Sequence, residues 1–194
     1  MARILIIVGH PDPSGGRLCR ALADAYEKGA IGAGHTTRRF DLALLDVPLL
    51  QSQQEFETAG VPESLRPAAE AMLEAEHIVF VFPLWLGTMP ALVKAFLEQV
   101  MRPGTAFGYP DEKGPGRKLL TGRSARIVVT MGMPGLLYRL WFREHGIAGM
   151  RRSILNFVGI KPVRTTYLGL ATGSSEKKRA KWLAEMERLG AQAG

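Results

Sequence analysis

Three short stretches carry residue types that could do chemistry. The first is Gly9-His10-Pro11-Asp12-Pro13-Ser14-Gly15-Gly16-Arg17. Gly15 and Gly16 leave backbone amides bare, and Ser14 can cap a helix that follows. A helix N-terminus with free N–H groups is a site for an anion. Arg17 adds a positive charge, and His10 can donate or accept a hydrogen bond. Taken alone, the stretch is equally an ordinary capped turn. The second is Phe82-Pro83-Leu84-Trp85-Leu86-Gly87-Thr88-Met89-Pro90, a stiff apolar ledge with two aromatics and two prolines. The amides of Trp85, Leu86 and Gly87 could bond the polar edge of a flat heterocycle. Reading Trp85 and Leu86 as core instead fits poorly, because loop tips after sheet strands face solvent or ligand. The third is Thr130-Met131-Gly132-Met133-Pro134-Gly135, where Gly132 permits close backbone approach. By itself it is no more than a strand-to-helix turn.

The elements around these stretches decide whether they can act together. Residues 4–9 form a continuous apolar, largely β-branched run, as expected for a parallel strand buried on both faces. Similar runs predict strands at 77–82 and 126–131. Residues 36–41 hold Arg38 and Arg39 and read as a strand nearer an edge, and 163–168 read as a fifth strand. Helical spacing predicts helices over 18–28, 62–76, 90–101, 135–142, 150–157 and 174–189, the last capped by Ser174 or Ser175. Gly29, Gly32 and Gly34 read as the stop of the first helix. Residues 43–60 and 102–122 read as long irregular connections, which are usually functional or lie at an interface. Alternating strands and helices with right-handed crossovers give an α/β fold whose five-stranded parallel sheet has the order 2-1-3-4-5. Strands one, three and four are then neighbours, and the three stretches meet at the carboxyl ends of those strands. The whole chain, 1–194, reads as one domain.

Composition narrows the function classes. Lys plus Arg number 25 and Asp plus Glu 18, a net charge of +7. The densest basic cluster, Lys177, Lys178, Arg179 and Lys181, is interleaved with Glu176, Glu185 and Glu187, as on a solvated helix face. No nucleic-acid recognition motif accompanies it. Cys19 is the only cysteine and reads as a small apolar residue on the inner face of the first helix, in a chain suited to a reducing compartment. The apolar run 4–8 is too short to span a membrane, and no other stretch is long enough. The expected location is the cytoplasm. No P-loop or nucleophile-elbow motif is present, no G-x-G-x-x-G follows a strand, and His10, His35, His77 and His145 lack the spacing of metal ligands.

The sequence resembles the flavodoxin-like NAD(P)H:quinone oxidoreductases. The resemblance rests on the His-x-x-x-Ser loop His10–Ser14, the segment Phe82-Pro83-Leu84-Trp85-Leu86-Gly87, the helix start Pro90-Ala91-Leu92-Val93-Lys94-Ala95-Phe96 and the group Phe107-Gly108-Tyr109. It implies a flavodoxin-like three-layer sandwich holding FMN, with FAD as the alternative. It assigns the flavin phosphate to His10, Ser14, Gly15, Gly16 and Arg17, the isoalloxazine to Pro83, Leu84, Trp85, Leu86 and Gly87, and its N1–O2 side to Thr130, Met131, Gly132 and Met133. Where the family often reads Thr-Thr-Gly-Gly, this chain reads Thr130-Met131-Gly132-Met133. Tyr138 and His145 stand where some members stabilise the reduced flavin, with a spacing one residue longer. Trp85, Phe107, Tyr109 and Trp141 are expected as walls for a flat acceptor. The implied reaction passes a hydride from NADH or NADPH through flavin N5 to a quinone-like acceptor. Members are usually homodimers, with 43–60 and 102–122 as the expected contacts. The alternatives are an electron-transfer flavodoxin, an accessory subunit of a membrane transport system, or an enzyme reducing azo dyes, nitroaromatics or chromate.

Overall fold

A computed structural model describes residues 1–110 and 116–193. The chain runs β1 (Arg3–Val8), α1 (Leu18–Gly32), β2 (Thr36–Asp41), α2 (Gln53–Thr58), α3 (Arg66–Glu74), β3 (His77–Pro83) and α4 (Ala91–Val100). It continues through β4 (Phe107–Gly108), β5 (Arg117–Lys118), β6 (Ser124–Thr130), α5 (Gly135–Leu140) and α6 (His145–Gly149). A π-helical stretch (Met150–Leu155), α7 (Asn156–Val158), β7 (Val163–Leu168) and α8 (Glu176–Ala191) complete it.

One sheet dominates, in the parallel order β2-β1-β3-β6-β7. With the short antiparallel β4–β5 pair set aside, this is the order 2-1-3-4-5 read from the sequence. The inner strands β1, β3 and β6 are buried almost throughout, which is why they consist of apolar runs and not of alternating residues. Leu5, Ile7, Phe80, Phe82, Ile127 and Val129 face one core with α3 and α4. Ile6, Val8, Val79, Val81 and Val128 face the other with α1 and α8.

Four local readings change. The first helix runs on through Gly32, and the turn at Gly34, with φ +81°, ends it. Gly29 is a packing residue: a Cβ there would lie 1.9 Å from the Glu187 carbonyl oxygen, and one on Gly190 would lie 2.0 Å from that of Tyr26. The two glycines let α1 and α8 touch backbone to backbone. Residues 43–60 are not wholly irregular. They hold α2, where Ser52 Oγ accepts from the Glu55 N–H at 3.1 Å and Glu55 accepts from the Gln51 N–H at 2.9 Å. The stretch 150–157 is π-helical before it becomes α7. Finally, residues 102–122 contain the antiparallel β4–β5 pair, and residues 111–115 of that stretch lie outside the described residues.

Candidate functional site

The loops after β1, β3 and β6 open at one end of the sheet, and contacts tie each to the others. His10 meets Trp85 edge-on with ring centroids 6.0 Å apart. The Leu84 N–H donates to the Thr130 carbonyl at 2.7 Å. Cys19, in the first turn of α1, lies 3.5 Å from Thr130 Oγ1. The three stretches singled out in the sequence therefore form one mouth.

The first loop is built for an anion. No side chain caps α1, and its first turn holds no acidic residue, so its N–H groups and dipole face outward. Ser14 does not cap the helix. Its N–H and hydroxyl are turned to Asp12 and Arg17. Gly16 takes φ +75°, and a Cβ at Gly15 or Gly16 would meet nothing within 4 Å, which leaves a bare cradle. Hydrogen bonds from Ser14, aided by the Arg17 guanidinium, hold Asp12 down to about 2. Arg17 pairs with Asp12, and Arg20 pairs with Asp41. The loop's charges thus compensate one another, and the amides are left to bind. Burial, then Arg17, pushes the His10 pKa down. His10 Nδ1 accepts from the Asp12 N–H at 3.1 Å, which puts the proton of the neutral ring on Nε2.

The second loop is a tight reversal. Trp85 and Thr88 exchange both backbone hydrogen bonds at 3.0 Å. Leu86 and Gly87 between them have φ of 47° and 79°, the left-handed pair of a type I′ turn. The Trp85 and Leu84 N–H groups are committed to protein acceptors. Those of Leu86 and Gly87 have no backbone acceptor among the described residues. Trp85 is 48 % exposed and Leu86 104 %. A polar ring edge would meet the Leu86 and Gly87 amides and the face of Trp85.

The third loop is more inward. Thr130 and Met131 are buried. The Met131 N–H donates to the Leu168 carbonyl at 3.0 Å, and the Met133 carbonyl accepts from Leu170 at 3.1 Å. Gly132 is exposed, and Met133 packs on the core. Pro83 ends β3, paired with Thr130.

Tyr138 is 1 % exposed. Its hydroxyl donates to the Gly87 carbonyl at 2.8 Å and accepts from the Ile147 N–H at 3.4 Å. The group that the resemblance assigns to a reduced flavin is thus occupied in fastening the second loop. His145 is exposed at the start of α6, beyond two left-handed residues, Arg143 and Glu144. Glu144 is anchored by Arg151 at 3.0 Å and by the Tyr167 hydroxyl. Sequence reasoning passed over Gly146. A Cβ there would lie 2.2 Å from the Gly87 carbonyl oxygen and 2.7 Å from Thr88, so α6 abuts the reversal directly and sets His145 beside it.

The expected acceptor walls do not line one pocket within the chain. Phe107 is buried beside Phe56, Tyr109 and Phe157, in a groove of about 180 Å³ along α4. Trp141 borders a separate groove of about 490 Å³ with Pro134, Leu136, Leu137 and Leu140. Only Trp85 stands at the mouth. The physical reason is the packing of Phe107, in β4, against Phe56 of α2 and Phe157 of α7.

A family model described as the flavodoxin-like fold matches residues 2–189. The chain belongs to that family. Within the flavodoxin-like family it is 30 % identical over 169 residues to an NAD(P)H oxidoreductase of Haemophilus influenzae that is itself uncharacterized, covering 85 % of this chain and 82 % of that one. It is 28 % identical over 177 residues to FMN-dependent NADH:quinone oxidoreductase 2 of Pseudomonas fluorescens, covering 84 % and 85 %. The solved NAD(P)H:quinone oxidoreductase of Methanothermobacter marburgensis superposes with a TM-score of 0.80 at 24 % identity, covering 98 % of this flavodoxin-like chain and 95 % of its own. Among the described residues, no helix is long and apolar enough to cross a membrane, and no group of three His, Cys, Asp or Glu could hold a metal ion.

Proposed function

We propose that this chain is an FMN-dependent NAD(P)H oxidoreductase acting on quinones or similar flat acceptors in the cytoplasm. The observation that carries the reading is the joined mouth, with, among the described residues, an uncapped helix N-terminus on one side and two amides without a backbone acceptor on the other. These residues fit a flavin mononucleotide. The cradle at Gly15 and Gly16, the first turn of α1 and the hydroxyl of Ser14 would hold its phosphate. Leu86 and Gly87 would hold its ring edge, and Gly132 lets the ring approach the third loop. When bound, the flavin supplies two-electron hydride chemistry.

The protein's own part is positioning. Neutral His10 offers an Nε2–H at the edge of Trp85. Tyr138, through Gly87, fixes the turn whose amides face the ring. His145, set beside the same turn by Gly146, is the residue we assign to the negative charge that develops on reduction. Named relatives that use FMN and reduce quinones support this assignment of cofactor and acceptor.

We further propose that the whole chain acts as one domain and pairs with a second copy across the α4 groove. Phe56 from 43–60, Phe107 from 102–122 and the half-exposed Phe157 line that groove. Phe107 and Tyr109 then belong to the interface and not to the mouth of their own chain.

The test is reconstitution with FMN, desalting and addition of NADH or NADPH. Retained yellow absorbance that bleaches with pyridine nucleotide and returns on adding a soluble quinone is the expected result. A chain that retains no flavin ends the proposal. Retention without bleaching turns the reading to a carrier flavodoxin.

A further inference from the structure

Leu136, Leu137, Leu140, Trp141 and Phe142 all stand exposed on α5 and the turn after it, Leu140 at 71 % and Trp141 at 78 %. Single exposed apolar residues are ordinary, but a contiguous ledge of this kind marks a contact surface. Its charge is one-sided. From 131 to 143 the only charged residues are Arg139 and Arg143, and both are exposed. The next residue, Glu144, is neutralised by Arg151. The chain as a whole carries +7.

An apolar ledge edged by arginines complements a surface that is anionic outside and apolar within. A second copy suits it poorly, since a two-fold contact would set the arginine edge against itself. The α4 groove shares no lining residue with the ledge. We propose that the ledge seats the protein on an anionic lipid bilayer. Tyr138, on the inner side of the same helix, is bonded to Gly87, so the seated face adjoins the mouth. A lipid-soluble quinone then enters from the membrane, a consequence that rests on the quinone-reductase reading, whereas the docking itself does not.

The experiment is co-sedimentation of the full chain with vesicles, one set of phosphatidylglycerol and phosphatidylcholine in equal parts, the other of phosphatidylcholine alone. The expected result is binding to the mixed vesicles and little to the neutral ones. Leu136→Ser with Leu140→Ser lowers the bound fraction about tenfold or more, because two leucines no longer bury their apolar area. Arg143→Glu, at an exposed site, lowers it less. Reduction of a water-soluble quinone by the serine variant stays at the wild-type level. A wild type that ignores both vesicle types overturns the docking, and so does a serine variant that binds as well as wild type. Loss of dimerisation in the serine variant, with no vesicle binding by wild type, would give the ledge to a second copy. Absent quinone reduction by any form, with vesicle binding intact, would sink the enzyme reading and leave the docking standing.

Discussion

Gly146 has no room for a side chain, because its Cβ would fall 2.2 Å from the Gly87 carbonyl oxygen. Gly146→Ala must push α6 away from the Trp85–Thr88 reversal. Overpacking of this kind costs about 1–3 kcal/mol, and the displaced turn aims the Leu86 and Gly87 amides elsewhere. Urea unfolding should show the lost stability, and a flavin titration should show affinity reduced beyond what stability explains. Arg17 presents a different case. Its partner Asp12 is held ionised beside the cradle. Arg17→Ala leaves that carboxylate facing any bound phosphate, so FMN affinity should fall about tenfold, or ~1.4 kcal/mol. Riboflavin, which lacks the phosphate, should bind both forms alike, and an equal loss for both ligands would refute the assignment. The residue types at the mouth were legible in the sequence because each loop follows a recognisable strand. Gly146 was not, since its reason is a contact with a loop far away in the chain. The task of the Tyr138 hydroxyl was hidden for the same cause.

Among the elements, the reversal after β3 holds the clearest tension. Leu86 adopts φ 47° and is fully exposed, so it takes on a left-handed conformation with no burial in return. A β-carbon in that region costs roughly 1–2 kcal/mol. Leu86→Gly should therefore raise the thermal midpoint while weakening turnover, if the side chain meets the acceptor. A stabilised variant with unchanged kcat/KM would show that Leu86 serves only the turn. Helix α2 sits where local signals compete. Its signal, Ser52 followed by Glu55, was present as a capping box, but Pro48 and the glutamines nearby suggested an irregular stretch. Gly29 misled in the other direction. A glycine near a helix end reads as a stop, and only the Glu187 backbone, on another helix, reveals it as a packing contact. The helix over 150–157 was legible from its spacing, but its π-helical winding over Met150–Leu155 was not.

Across the whole molecule, the sheet was legible because parallel strands buried on both faces must be written as apolar runs. His77, at the start of β3, is one of the buried polar exceptions, with Arg126 and Thr130 of β6, and it carries a consequence for stability. It is buried against Tyr26, with its Nδ1 2.7 Å from Ser124 Oγ. Burial, then Arg126, pushes its pKa down from 6.5 to about 4. The folded chain refuses a proton that the unfolded chain accepts below pH 6.5. Stability is thus full above that pH and falls as pH drops toward 4, by on the order of 3 kcal/mol. Chemical denaturation at stepped pH should trace the decline, and His77→Asn should flatten it. Cys19 has its own use at this scale. Its thiol is buried, and desolvation pushes it up to about 11, so it is closed to maleimides and iodoacetamide while the protein is folded. The native chain therefore behaves as cysteine-free toward labelling reagents. One cysteine placed on the α5 ledge or at the tip of the reversal becomes a unique handle for a dye or spin probe, with no background to engineer away.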